Sequence, residues 1–238
     1  AVAAVAARLR AGQTAWAART PEDRAAALSR WADAIEAHAG PISDALTVDT
    51  GRAAIARLEV RSTAGAIRRW AASAPGLIAN GGKAGQTVIP GISYTTRLVP
   101  YALVGVISPW NFPLTLALID AIPALAAGCA VMVKPSEVTP RFIRPLMASI
   151  ADAGLDDVIA VIAGDGATGA ALVPAVDFVC FTGSVATGRK VGAAAAAAFV
   201  PASLELGGKD PMLVLASADP VWAAEVALRA SVVRQSST

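Results

Sequence analysis

From residue 103 onward, six short and nearly continuous apolar runs follow one another: LVGVIS, AVMVKP, DVIAVIAG, DFVCFTG, SLELGG and PMLVLA. Each is strand-length and apolar on both faces. Strands of that kind belong to parallel sheets, which need helices against each side. Helical stretches lie between several of the runs. The pattern predicts a doubly wound parallel α/β sheet. Composition supplies the material: 55% of the 238 residues are hydrophobic and 16% are charged, enough for a large core and too apolar for disorder.

Ahead of the sheet the period is helical. Thr20-Pro21-Glu22-Asp23 reads as an N-cap, a proline at the first helical position and acids in the first turn. That helix runs on to Gly40, with Leu28, Trp31 and Ile35 at core spacing. A second spans AAIARLEVRSTAGAIRRWAAS, its arginines read as a solvated face. The helical pattern changes at Pro75 and Gly76. Residues 86–101, QTVIPGISYTTRLVPY, then read as a β-hairpin turning at Pro-Gly.

The bulk numbers exclude several classes. A net charge of +2 gives no nucleic-acid footprint. The two cysteines, Cys129 and Cys180, sit in apolar runs and read as buried reduced thiols, which fits a cytoplasmic protein. The most membrane-like stretch, residues 114–133, contains Asp120, Pro123 and Gly128 and splits into a helix, a turn and a strand, so no membrane span is expected. No signal peptide is read, and no metal site is expected.

Parallel sheets bind ligands beyond the carboxyl ends of their strands. Polar residues fall at four such ends: Pro109-Trp110-Asn111 after the first run, Lys134-Pro135-Ser136-Glu137 after the second, Gly183 to Gly188 after DFVCFTG, and Glu205 within SLELGG. Each has a plain reading beside a functional one. Gly183 to Gly188 is either a pyrophosphate-holding turn or a helix start capped by Ser184. Lys134 and Glu137 either grip ribose hydroxyls or form a surface charge pair. Asn111 is either a donor to an oxyanion or a turn residue. Glu205 is either a general base or an edge-of-strand acid paired with Lys209.

Taken together, SPWNFPL, the KPSEVTP segment, FTGSVATG and LELGGKDP, in that order, resemble the aldehyde dehydrogenase superfamily over essentially the whole chain. Each motif is weak alone and the four are specific in combination. The resemblance is to the N-terminal half of family members, so the chain is expected to be a piece of a longer one. It implies a Rossmann-like domain that binds NAD, with NADP as the alternative cofactor. By resemblance, Asn111 stabilises the oxyanion and Glu205 activates the water that releases the acyl-enzyme. Lys134 and Glu137 hold the adenosine ribose, and Gly183 and Ser184 contact the pyrophosphate. Ile107, Ser108, Pro109, Trp110, Ser136, Gly188, Leu206 and Gly207 complete the implied cofactor site. The implied divisions are a helical part over 1–85, the hairpin over 86–101 as an arm joining subunits of a homodimer or homotetramer, the cofactor core over 102–222, and the start of a catalytic domain over 223–238.

The implied substrate is an aldehyde, oxidised to a carboxylic acid through a cysteine thiohemiacetal and thioester. The family's nucleophilic cysteine, counted from Glu205, falls just past Thr238. Neither Cys129 nor Cys180 matches it by motif, and VVRQSST is a poor match to the usual approach to that cysteine. The chain alone is therefore expected to be inactive. Two other readings stand beside this one. A non-catalytic relative acting as a binding or structural protein would need neither Asn111 nor Glu205. An acyl-phosphate or semialdehyde reductase of the same fold would generally lack the Glu205 equivalent.

Overall fold

A computed structural model describes residues 2–233. Four helices come first: α1 (Val2–Ala18), α2 (Pro21–Ala37), α3 (Ala39–Thr50) and α4 (Ala53–Ala79). Thr20 caps α2 as the sequence predicts, its side chain accepting from the Asp23 amide, and Leu28, Trp31 and Ile35 are fully buried. Gly51 ends α3 at φ 70°, a left-handed conformation that glycine adopts without steric cost.

The helix after it departs from expectation. Pro75 and Gly76 do not stop α4, which continues to Ala79. Pro75 lacks an amide and leaves the Ala71 carbonyl without its helical donor. Ala71 and Ala74 are nevertheless buried and Ile78 packs on the core, so burial along one stripe holds the last turn.

The hairpin is present. Strands β1 (Ala84–Gln86) and β2 (Ser93–Thr95) pair antiparallel, Gln86 opposite Ser93. They are shorter and begin earlier than the pattern predicts; residues 96–101 form no strand. Val88, Ile89, Ile92, Leu98 and Val99 are exposed.

The sheet that follows carries the core. It contains β3 (Leu103–Ile107), β4 (Ala130–Lys134), β5 (Ile159–Val161), β6 (Phe178–Thr182) and β7 (Ala202–Glu205), ordered β5-β4-β3-β6-β7 and all parallel. Between the strands lie α5 (Pro113–Leu118), α6 (Ala121–Ala127), α7 (Ile143–Asp152), α8 (Gly166–Leu172) and α9 (Val185–Ala197). Side chains alternate between two cores. Val104, Val106, Val131, Val133 and Cys180 pack with α2, α4, α6 and α7. Leu103, Ile107, Met132, Val179 and Phe181 pack with α1, α8 and α9. That alternation makes the sheet doubly wound, and its order switches direction between β3 and β6.

PMLVLA is a correction. Residues 211–215 form no strand, and Met212, Leu213, Val214 and Leu215 are all exposed. An apolar run becomes a strand where a neighbour supplies its ladder, and here the sheet ends at β7. A last helix, α10 (Pro220–Val233), follows. The membrane-like stretch resolves into α5, α6 and β4, broken at Asp120 and Gly128. Among the described residues no helix is long and apolar enough to cross a membrane.

Candidate functional site

The carboxyl ends of β3, β4 and β6 open into a groove of about 580 Å³ on the α8–α9 face of the sheet. Ile107, Ser108, Pro109 and Trp110 line it from β3. Lys134, Ser136 and Glu137 line it from β4, and Gly183 and Ser184 from the turn after β6. Gly188, Leu206 and Gly207 are outside its lining. Gly188 serves packing: a Cβ there would stand 2.3 Å from the Leu206 side chain.

Lys134 is not a surface charge. Its side chain is 5% exposed, and Nζ lies 2.8 Å from Oε2 of Glu137, whose side chain is 55% exposed. A buried ammonium needs such a partner. The hydrogen bond from Lys134 holds the Glu137 carboxyl below the usual carboxylate range. Gly183 lies close over its own strand, where a Cβ would stand 2.7 Å from the Phe181 ring. Its amide donates to the Glu205 carbonyl at 3.0 Å. Ser184 is the N-cap of α9, its Oγ accepting from the Thr187 amide at 3.3 Å. The turn is thus a capped helix start, and that start faces the groove. Ser108 Oγ is buried there without a hydrogen-bond partner.

Asn111 and Glu205 stand outside the groove lining. Asn111 follows Trp110; its carbonyl accepts from Arg52 Nη2, and its Oδ1 is buried without a partner. Glu205 ends β7. Leu204 packs against the α9-side core, so strand alternation sends Glu205 to the α5–α6 side. No ion pair joins Glu205 to Lys209 among the described residues.

Further residues, outside the site expected from sequence, belong to this neighbourhood. Asp120, between α5 and α6, has its carboxyl pushed up by burial and then by the charge of Glu205. Its signal was in plain view: it is the one charge between residues 114 and 133. Arg52, at the N-cap of α4, and Glu59 within that helix hold residues 111–115 from behind. Gly166, Gly169 and Lys190 also reach the groove, from α8 and α9.

Both cysteines are buried as read. Burial pushes Cys129 up to about 11 and Cys180 up to about 12, so neither thiol is an available nucleophile at neutral pH. Among the described residues no cluster of three His, Cys, Asp or Glu groups could hold a metal ion. The VVRQSST segment runs into residues 234–238, outside the described residues.

Known proteins resemble the chain in sequence and fold. The chain matches the aldehyde dehydrogenase family over residues 1–236. It is 39% identical over 233 residues to a Mycolicibacterium smegmatis protein assigned as an NADP-dependent succinate-semialdehyde dehydrogenase, covering 96% of this chain and 45% of that one. A structure from Anabaena variabilis, assigned as the aldehyde dehydrogenase PutA, matches with a TM-score of 0.90 at 50% identity, over 96% of this chain and 48% of that one. Betaine aldehyde dehydrogenase from Staphylococcus aureus, solved in complex with NAD+, matches with a TM-score of 0.87 at 31% identity, over 95% of this chain and 46% of that one. The chain spans about half the length of each of these relatives.

Proposed function

The chain belongs to the aldehyde dehydrogenase family, and from that premise we propose that it forms the cofactor-binding part of an enzyme oxidising an aldehyde to a carboxylic acid with NAD or NADP. The observation that carries this reading is the groove at the sheet's switch point, which gathers Trp110, the Lys134–Glu137 pair and the α9 N-terminus along one wall system. A dinucleotide fits these residues. Ser108 Oγ is a polar group in want of a partner, the Glu137 carboxylate can accept from ribose hydroxyls, and the first-turn amides of α9 suit a pyrophosphate. Held there, the cofactor would supply a nicotinamide ring as hydride acceptor.

The chain's own residues would do the rest of their share as follows. The Asn111 side-chain N–H donates to the oxygen of the aldehyde as negative charge develops on it. Glu205 takes a proton from the water that releases the acyl group as a carboxylic acid. The thiol that adds to the aldehyde falls, by the family spacing from Glu205, beyond residue 238. Residues 102–222 would be the cofactor core, the hairpin an arm between subunits, and residues from 223 the start of a catalytic domain.

The test separates the two half-reactions. In the enzyme that contains this chain and its nucleophile, Glu205→Gln is expected to keep the first-turnover burst of reduced cofactor and to lose steady turnover, because the base is needed only for release. Loss of the burst as well would move Glu205 to thiol activation or to structure. Unchanged turnover would make it an ordinary strand acid.

A further inference from the structure

Asn111 is useful as an oxyanion donor only if its side chain is held in place before the charge appears. Its own element gives it little support. Helix α5, which starts two residues later, has six residues and no side-chain cap, and a helix that short is marginal unaided. The support comes from α4. Arg52, at the N-cap of α4, donates through Nη2 to the Asn111 carbonyl, and its guanidinium lies 5.1 Å from the Phe112 ring centroid. Glu59, seven residues along the same helix, is 2% exposed. Its Oε2 accepts from the amides of Leu114 at 3.1 Å and Thr115 at 3.0 Å. Those are first-turn donors of α5, which have no acceptor within their helix.

The two contacts bracket residues 111–115. Burying a carboxylate this deeply is unfavourable; desolvation raises the Glu59 pKa, and the Thr115 and Leu114 amides and the Arg52 charge oppose that rise. A glutamine would accept more weakly from the two amides and would lose the attraction to Arg52, so the charge itself is part of the clamp. An apolar side chain would suffice for packing alone.

We propose that Glu59 and Arg52 are positioning residues: they clamp the backbone on either side of Phe112 so that the Asn111 amide is presented to the reacting oxygen in one orientation. The inference rests on the role proposed above for Asn111. It differs from a stability role, in which Glu59 would only cap α5.

A double-mutant cycle tells these apart. In the enzyme that contains this chain and its nucleophile, Glu59→Gln is expected to slow the first-turnover burst about tenfold to a hundredfold, with cofactor affinity unchanged. In an Asn111→Ala background the same substitution should slow the burst no further, while its effect on thermal stability persists. Additive slowing in the two backgrounds would overturn the inference alone. An Asn111→Ala variant with an unaltered burst would overturn the role of Asn111 and this inference with it. Arg52→Lys, which leaves Glu59 intact, runs the same cycle independently and should give the same non-additivity. In the chain itself, the Asn111 side-chain amide protons are expected to give one sharp pair of NMR lines that Glu59→Gln broadens or multiplies; an unmoved sharp pair would overturn the clamp.

Discussion

Glu137 stands at the rim of the groove with its partner Lys134 beneath it, and that asymmetry decides what each charge can do. Lys134 is committed to the pair; Glu137, more than half exposed, is free to accept from a ligand. A 2′-phosphate would set a dianion beside this carboxylate. Two like charges 4 Å apart repel by about 4 kcal/mol at an effective dielectric near 20. Lys134 and solvent offset much of that, leaving about 1–2 kcal/mol. NAD is therefore expected over NADP by about five- to thirtyfold in kcat/KM, and Glu137→Ser should narrow the gap. Equal use of both cofactors before the substitution, or no gain for NADP after it, removes Glu137 from the choice. Asp120 gives a second test at this scale. Glu205→Gln is expected to lower the Asp120 titration midpoint, read by carboxyl NMR, yet to leave it above the ordinary aspartate value, because burial is the larger cause. An acid raised in the folded state is protonated there while already ionised in the unfolded chain. The contribution of Asp120 to folding stability should then fall as pH rises from the ordinary aspartate value through that of Asp120, and Asp120→Asn should remove that contribution while leaving the one from Glu59, whose carboxyl burial also raises. Urea titration at a series of pH values checks the sign. The residues at strand ends were legible because they interrupt apolar runs. Glu59 was not, since Arg57 and Arg61 flank it in a helix whose arginines read as a solvated face, and the amide donors to its carboxylate lie about fifty-five residues away.

At the scale of elements, the apolar runs located five strands: β3, β4, β5 and β6 are covered twice, once by each core, while β7 at the edge packs through Leu204 alone. The sixth failed for want of a neighbour, a property no local pattern contains. Pro75 likewise marks a stop by local chemistry, and the burial of Ala71 and Ala74 overrides it. Packing also separates two glycines that look alike in sequence. A Cβ at Gly105 would meet Leu172 Cδ2 at 2.4 Å and both Val176 methyls at 3.1 Å. Leu172 is fully buried and has nowhere to go. A Cβ at Gly188 would meet only Leu206, whose side chain lies at the surface and can swing aside. Gly105→Ala is expected to destabilise the protein by about 1–3 kcal/mol, and Gly188→Ala by clearly less. Urea midpoints for the two variants check this, and equal losses would mean that the β3–α8 packing is as yielding as the surface.

The molecule as a whole keeps one side unfinished. Strand β7 ends the sheet with an open edge, and an unpaired strand edge accepts further strands. Just beyond it, Met212 to Leu215 place four consecutive apolar side chains in solvent, Leu213 at 85% exposed. Phe199, before β7, is 97% exposed, and Val221 and Trp222 of α10 are also exposed. A single exposed leucine is ordinary; a run beside an open edge is not. The hydrophobic gain on covering such a run grows with the area removed from water, at about 25 cal/mol per Å². Covering Met212 to Leu215 can therefore offset part of the entropy lost on association. The chain of 238 residues is expected to self-associate as its concentration rises. Leu213→Lys, placed in this run away from the cofactor groove, should weaken the association by setting a strongly hydrated charge where burial is required. Thermal stability should stay unchanged, because Leu213 is 85% exposed in the folded chain. Light scattering over a dilution series, with and without the substitution, reads the outcome. A chain that stays monomeric at every concentration would show that the run is shielded in solution. Association that Leu213→Lys leaves untouched would place the contact elsewhere, with the exposed hairpin residues Val88 and Ile89 the next to substitute.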